Sequence, residues 1–232
     1  DEGGVAKVLR KASGIAWNRG DMTASLKLSR ESLAIYKRIG QKVGYANALG
    51  SIAVVTNQQG QHEEARRLFE GAFGVYRELG DRAHMAWAVS SIANTWLMQG
   101  ELDRAIETYR EALPLARKVG DRSQEATTLA NLGEALRTTG ALADAEKAFT
   151  DSAALFRAMN DASSVAYVDT FLADLLLVRN DLAGAEKKYR EALASRVVIE
   201  DKRQTAETQI ALGRVRLLQG RSVVGAVVGD AG

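Results

Sequence analysis

The sequence predicts an all-α chain: about eleven helices, arranged as antiparallel pairs stacked into a solenoid. Three columns of residues predict it. Gly20, Gly60, Gly100, Gly140, Asn180 and Gly220 recur with a 40-residue period. Half a period away stand Gly40, Gly80, Gly120, Asn160 and Glu200, and a third column holds Ala6, Ala46, Ala86, Ala126, Ala166 and Ala206 without exception. Gly and Asn enter the left-handed conformation at little cost and commonly end helices, so two stops per period mark two helices, A and B, in each repeat. A single Pro and abundant Ala, Leu, Glu and Arg point the same way, toward helix and away from sheet.

The repeats fall at 1–40, 41–80, 81–120, 121–160 and 161–200, with 201–220 a partial sixth and 221–232 a degenerate or disordered tail. Repeat one is weak. Ser25 and Ser29 stand where later repeats place Ala and an aromatic residue, which suits a terminal unit with less to bury. Each later A helix opens on Gln41, Asp81, Asp121, Asp161 or Asp201. Asp is a good N-cap that also favours the positive end of the helix dipole.

Within the helices, small residues alternate with large ones at fixed register. Helix A carries Ser13, Ala53, Ala93, Gly133, Ala173 and Gly213 beside Ile52, Ile92, Leu132, Leu172 and Leu212. Helix B carries Ser32, Ala72, Ala112, Ser152 and Ala192, with Phe69, Tyr109, Phe149 and Tyr189 nearby. Small residues let helices approach, and bulky neighbours fill the adjoining holes. Pro114 falls inside helix B of repeat three, where it removes the bond to the Arg110 carbonyl, so a bend is expected there. Repeat six keeps helix A, but Ser222 to Gly232 is rich in Gly and Val and poor helix material. Ile210, Leu212, Val215 and Leu218 are then expected to lack cover and to offer a surface for end-to-end self-association.

These columns resemble the tetratricopeptide repeat. The resemblance is carried best by Ile92-Ala93, Trp96, Gly100, Ala105, Tyr109 and Ala112, and by Leu132-Gly133, Leu136, Gly140, Ala145 and Phe149. It covers about 1–220 and implies a right-handed superhelix. The family unit is usually ~34 residues, so these helix pairs are longer, as in the subtype of kinesin light chains, Rap-type regulators and maltose-regulator-like sensors. The usual Pro at the end of helix B is replaced by Gly-Asp or a relative.

Composition narrows the function. With no Cys, disulfides, thiolate zinc sites and cysteine nucleophiles are excluded. A balance of 31 Lys+Arg against 29 Asp+Glu lacks the basic footprint of a nucleic-acid binder. No run approaches the ~20 apolar residues of a membrane span. The start, Asp1-Glu2-Gly3-Gly4, has neither the basic nor the apolar region of a signal peptide and reads as an excised segment of a longer protein. A cytoplasmic location is expected, and the Ala- and Arg-rich helices suit a bacterial source.

Neither histidine reads as chemical. His62 stands in a column of Met and Leu and is expected half-buried, and His84 is expected solvated at a helix start. Glu63/Arg67 and Lys187/Glu191 are spaced as i,i+4 ion pairs. No catalytic constellation, metal set or phosphate loop is found, and no cofactor is expected.

Function is therefore expected on a concave wall lined by helix A. Carried over from the family column by column, the inward positions include Arg10, Trp17, Asn47, Val54, Asn57, Trp87, Asn94, Thr127, Glu134, Arg137, Tyr167, Asp174 and Arg214. Asn57, Asn94 and Arg137 can clamp an extended peptide backbone, and Trp87 and Tyr167 share one column as candidate hot spots. The expected function is a non-enzymatic scaffold that binds a protein or peptide segment in this groove. The alternative is the sensor module of a larger bacterial regulator, binding a small effector or peptide, and a third reading is an oligomerisation element.

Overall fold

The computed structural model describes residues 1–220. Among them it has eleven α-helices and no strand. The chain divides into two compact units, Asp1–Gln124 and Glu125 onward. The tail expected to be degenerate, 221–232, lies outside the described residues.

Unit 1 contains α1 (Glu2–Asn18), α2 (Met22–Arg38), α3 (Lys42–Gln58), α4 (His62–Glu78), α5 (Arg82–Gln99) and α6 (Leu102–Val119). Each packs on the next, and α1 also touches α3. The stops behave as their chemistry requires. Gly20, Gly40, Gly60, Gly80, Gly100 and Gly120 all have positive φ. After each, a backbone bond reaches back into the last turn, as from Asp81 N–H to the Tyr76 carbonyl at 2.9 Å. Asp21 and Asp81 then cap the next helices through the N–H groups of Ala24 and His84.

The core of unit 1 is small against large. Ala65, Ala72, Ala105 and Ala112 are fully buried beside Phe69, Tyr76 and Tyr109, each ring contributing roughly 1.5–3 kcal/mol of burial. The first pair has the thin apolar core expected of a terminal unit, with only Ala6 and Tyr36 as buried apolar side chains. Ser25 and Ser29 are buried, not exposed, because Ser13 joins them: its Oγ donates to the Ser25 carbonyl at 2.9 Å and lies 2.6 Å from Ser29 Oγ. Ser32 Oγ likewise donates to the Ala6 carbonyl at 2.8 Å. Hydroxyls thus replace apolar volume while remaining satisfied. At the far end of unit 1, α6 is assigned as one unbroken helix through Pro114, which sits on its exposed side.

Unit 2 holds most of α7 (Arg122–Thr138), then α8 (Leu142–Ala158), α9 (Ala162–Val178), α10 (Leu182–Val198) and α11 (Lys202–Leu218). Ser152 Oγ donates to the Ala126 carbonyl at 2.7 Å, tying α8 to α7 by the same 26-residue link as Ser32 and Ala6. Gly133 brings α7 against the Phe149 ring so closely that a Cβ there would stand 2.7 Å from it. Asn160, Asn180 and Glu200 take the left-handed stop without being Gly.

Two expectations fail here. Leu212 and Val215 are buried, packed with Ala173, Ala185 and Tyr189 of the preceding pair, because helix A's inner face needs only that pair to cover it. Ile210 and Leu218, on the other face, are indeed exposed. Glu191 pairs with Lys188 at 2.7 Å rather than with Lys187, since Lys188 is also held at 3.2 Å by the buried Asp169. Arg157 supplies a second cation to Asp169 at 3.0 Å. No described helix is long and apolar enough to cross a membrane.

Candidate functional site

In unit 1 the site begins with a missing side chain. Gly50 on α3 has no Cβ, so the Trp87 ring of α5 can lie directly on it. Trp87 also meets Phe69 edge-on, with centroids 5.6 Å apart. From α4, the buried Tyr76 donates its hydroxyl to Asn47 Oδ1 at 2.8 Å and stacks its ring on His84 at 4.9 Å. His84 Nδ1 is 2.7 Å from Asp81 Oδ2. His84 is therefore exposed, as expected, but ordered by two neighbours. Burial, with the Asp81 charge adding and Arg10 opposing, pushes the Tyr76 hydroxyl far above its ordinary pKa, so it stays a donor. Asn47, Gly50, Tyr76, His84 and Trp87, with Arg10, Trp17 and Val54, line a cavity of about 480 Å³.

Unit 2 contains a cavity of about 350 Å³. Nine of its eleven lining residues stand 80 residues after a residue lining the first cavity. Asn47, Ser51, Tyr76, His84 and Trp87 become Thr127, Asn131, Phe156, Ser164 and Tyr167, while Asp121 and Gln124 recur unchanged as Asp201 and Gln204. One set of positions therefore occurs twice, on the A helices of three consecutive repeats and the last turn of the first B helix between them. The first cavity adds residues of repeat one, such as Arg10 and Trp17, and the second adds Arg196 and Ile199 at the end of α10. Its chemistry differs between the copies. The first is walled by two tryptophans and a histidine; the second by Tyr167, small polar groups and Arg196.

Farther along the A helices of unit 2 runs a row of charge. Arg137 grips Glu134 through two bonds, Nε at 2.9 Å and Nη2 at 2.6 Å, which raises the arginine's pKa further. The Tyr189 hydroxyl of α10 donates to Asp174. Burial raises the Asp174 carboxyl above the ordinary carboxylate pKa, against the pull of Tyr189 and Arg137. Tyr189 itself is raised by burial and by Asp174, with Arg214 and Arg137 opposing. Glu134, Arg137 and Asp174 thus act on one another as an electrostatic group, and Arg214 acts on Tyr189 beside them.

The other residues singled out in the sequence are dispersed. Asn57 Oδ1 is 2.7 Å from His62 Nδ1, so one end of its amide is engaged within the chain. Asn94 is half-buried on α5. Tyr167 is 48% exposed, with its ring edge against Phe171 at 4.7 Å, and burial of the remainder raises its hydroxyl pKa, helped by Glu134. Sequence reasoning found the A-helix walls of both cavities, namely Arg10, Trp17, Asn47, Trp87, Thr127 and Tyr167. It missed Tyr76, Ser164, Arg196 and the recurrent Asp-x-x-Gln at 121–124 and 201–204. Comparing positions 80 residues apart would have exposed the last of these. Among the described residues, no group of three or more His, Asp or Glu is placed to hold a metal ion.

The sequence profile of the tetratricopeptide repeat matches residues 4–78 and 83–158. No curated protein sequence matches the chain. Solved structures do. BtubC from P. vanneervenii is 21% identical, with 87% of this chain and 82% of that one covered and a TM-score of 0.72. The apo form of RapI is 13% identical over 90% of this chain and 77% of its own, with a TM-score of 0.77. The Rap conjugation gene regulator of the plasmid pLS20, solved in complex with the Phr* peptide, is 16% identical with a TM-score of 0.80. That match covers 94% of this chain and 60% of the regulator. At these identities the likeness is one of fold.

Proposed function

The chain belongs to the tetratricopeptide repeat family, and we propose that it is a non-enzymatic module that binds a protein or peptide segment on its A helices. The observation that carries this reading is the recurrence of one cavity in two registers 80 residues apart. A repeat that serves packing alone has no need to rebuild an open, polar-edged cavity at the same positions. A reader of peptide side chains does, and rigid walls leave most of the ordering cost with the partner. The peptide-bound state of the Rap regulator supports the partner class. Asn57, Trp87, Asn94, Glu134, Arg137, Tyr167, Asp174 and Arg214 remain the proposed contact residues. The first cavity's volume of about 480 Å³ also suits a small effector, which supports the sensor reading as a second possibility.

The test is a displayed peptide library panned on the purified chain, followed by affinity measurement of the enriched sequences. Trp87→Ala should weaken the peptides that enter unit 1 by about 30-fold, the loss typical of a hot-spot residue. Replacing Asn57, Asn94 and Arg137 together by Ala should also weaken binding with helicity retained. Equal losses from Glu63, Arg67 and Lys187, all exposed on B helices, would overturn the groove reading.

A further inference from the structure

The outer side of α1 carries apolar groups that every later A helix buries. Val8 is 66% exposed and Ile15 55%. Their columns continue with Ala48, Ala88 and Thr128, and with Val55, Thr95 and Ala135, and no later member of either column is more than 1% exposed. In unit 1 the cover comes from the preceding B helix: Ala48 packs in one cluster with Tyr36, and Ala88 in another with Tyr76. Among the described residues α1 has no such helix before it. Aliphatic groups aligned and exposed in this way form an association surface.

The surface is ordered along the helix. Asp1, Val5, Val8, Ala12, Ile15 and Arg19 follow one another at spacings of 4, 3, 4, 3 and 4 residues, the alternation by which one helix faces another along a seam. All are exposed except Ala12, which is half-buried. Arg10 and Trp17, which line the unit 1 cavity, fall on the opposite side of α1 at 3.6 residues per turn. Pairing through the seam therefore leaves that cavity open.

Charge at the two ends of the seam selects the occupant and its direction. Asp1 is fixed at the helix N-terminus as the N-cap, accepting from the Gly4 N–H at 3.1 Å, and Arg19 is the C-cap at the other end. Two parallel copies would set acid against acid and base against base. Two antiparallel copies set each Arg19 beside the other copy's Asp1 and oppose the helix dipoles favourably. The same register places Val5 against Ile15 and Val8 against Ala12, so the bulky side chain of each central pair meets a small one. The seam is thus complementary to itself, in size and in charge.

We propose that α1 is the contact between two copies of this chain, paired antiparallel through this seam into a closed two-fold dimer. A contact that uses the same patch on both copies closes at two, whereas a head-to-tail contact between α1 and the far end of the chain would continue to grow. Few apolar residues take part, so the dimer is a weak one that forms at high concentration.

The test is sedimentation velocity of the full chain from micromolar to millimolar concentration, where a monomer–dimer equilibrium that stops at two is expected. Val8→Glu enters a two-fold contact twice and should weaken the dimer by about 100-fold, with the circular dichroism unchanged because Val8 is exposed. Ile210→Glu, on the exposed side of α11, should leave the dimer as it is. The register has its own check. Val5→Glu and Ile15→Lys chains should each associate poorly alone and recover a dimer when mixed, because the new carboxylate then faces the new ammonium. A monomer at every concentration, growth beyond the dimer, or an equal loss from Ile210→Glu would overturn the proposal. So would a mixture of the Val5→Glu and Ile15→Lys chains that associates no better than either chain alone.

Discussion

Replacing Gly50 by Ala isolates the contact on which the first cavity is built. In a helix interior, Ala is favoured over Gly by about 1 kcal/mol. Here the new Cβ would stand 2.5 Å from Trp87 Cη2 and 2.8 Å from Cζ3. Carbon atoms prefer about 3.5–4.0 Å, so the indole must withdraw by roughly an ångström and loosen its edge contact with Phe69. Overpacking of this kind costs about 1–3 kcal/mol, which leaves a net loss of about 1 kcal/mol. Unit 2 indicates how to relieve it: the equivalent pair there is Ala130 and Tyr167. In a Trp87→Tyr background the indole's outer atoms are gone, and Gly50→Ala should stabilise by about 1 kcal/mol through helix propensity alone. The coupling between the two sites is then about 2 kcal/mol, well beyond the few tenths expected of independent positions. Urea unfolding followed by far-UV circular dichroism on the four chains measures it. The same sign of effect for Gly50→Ala in both backgrounds would refute the argument.

Three further outcomes are expected. Pro114→Ala should raise the urea midpoint, stabilising by about 1–3 kcal/mol, because α6 is assigned continuous there and the new N–H can reach the Arg110 carbonyl; an unchanged midpoint would show that the helix has already relieved the lost bond. Glu200→Gly should stabilise by about 1 kcal/mol, since Glu200 holds φ +57 where most equivalent stops are Gly, and a loss would mean its side chain has a compensating role. Asp174 gives a pH signature: its pKa is raised in the folded chain, so its contribution is full below the ordinary carboxylate pKa and is lost as pH rises through the folded value. The stability of the native chain relative to Asp174→Asn should therefore fall as pH rises above the ordinary carboxylate pKa of about 4, and a difference independent of pH would contradict the assignment.

The fold was legible because its determinants are backbone determinants. A left-handed stop has few acceptable residues, and a 40-residue period repeats the demand until chance is excluded. Pairing preferences between side chains were less legible. Ser25 and Ser29 look like a weakened core until Ser13 is found within hydrogen-bonding distance. Glu191 has two lysines in reach, and only the buried Asp169 on another helix decides between them. Leu212 and Val215 were expected to need a following helix, whereas the preceding pair suffices. The site was half legible. Residues on helix A announce themselves by column, but Tyr76 and Arg196 reach the cavities from the last turn of helix B, a position that the column pattern assigns to packing.

The 80-residue register between the cavities makes them recombinable. The matching positions of each run from one repeat to the repeat two places on. Excising 80 residues between matching positions, such as 81–160, would join Asn47, Ser51 and Tyr76 directly to the turn and helices that carry Ser164, Tyr167 and Arg196. The shortened chain would keep every helix stop in phase and hold a single hybrid pocket, walled on one side by the aromatic chemistry of unit 1 and on the other by the guanidinium of unit 2. In such a chain, the chemistry of a pocket can change by unequal crossing-over, without any point substitution.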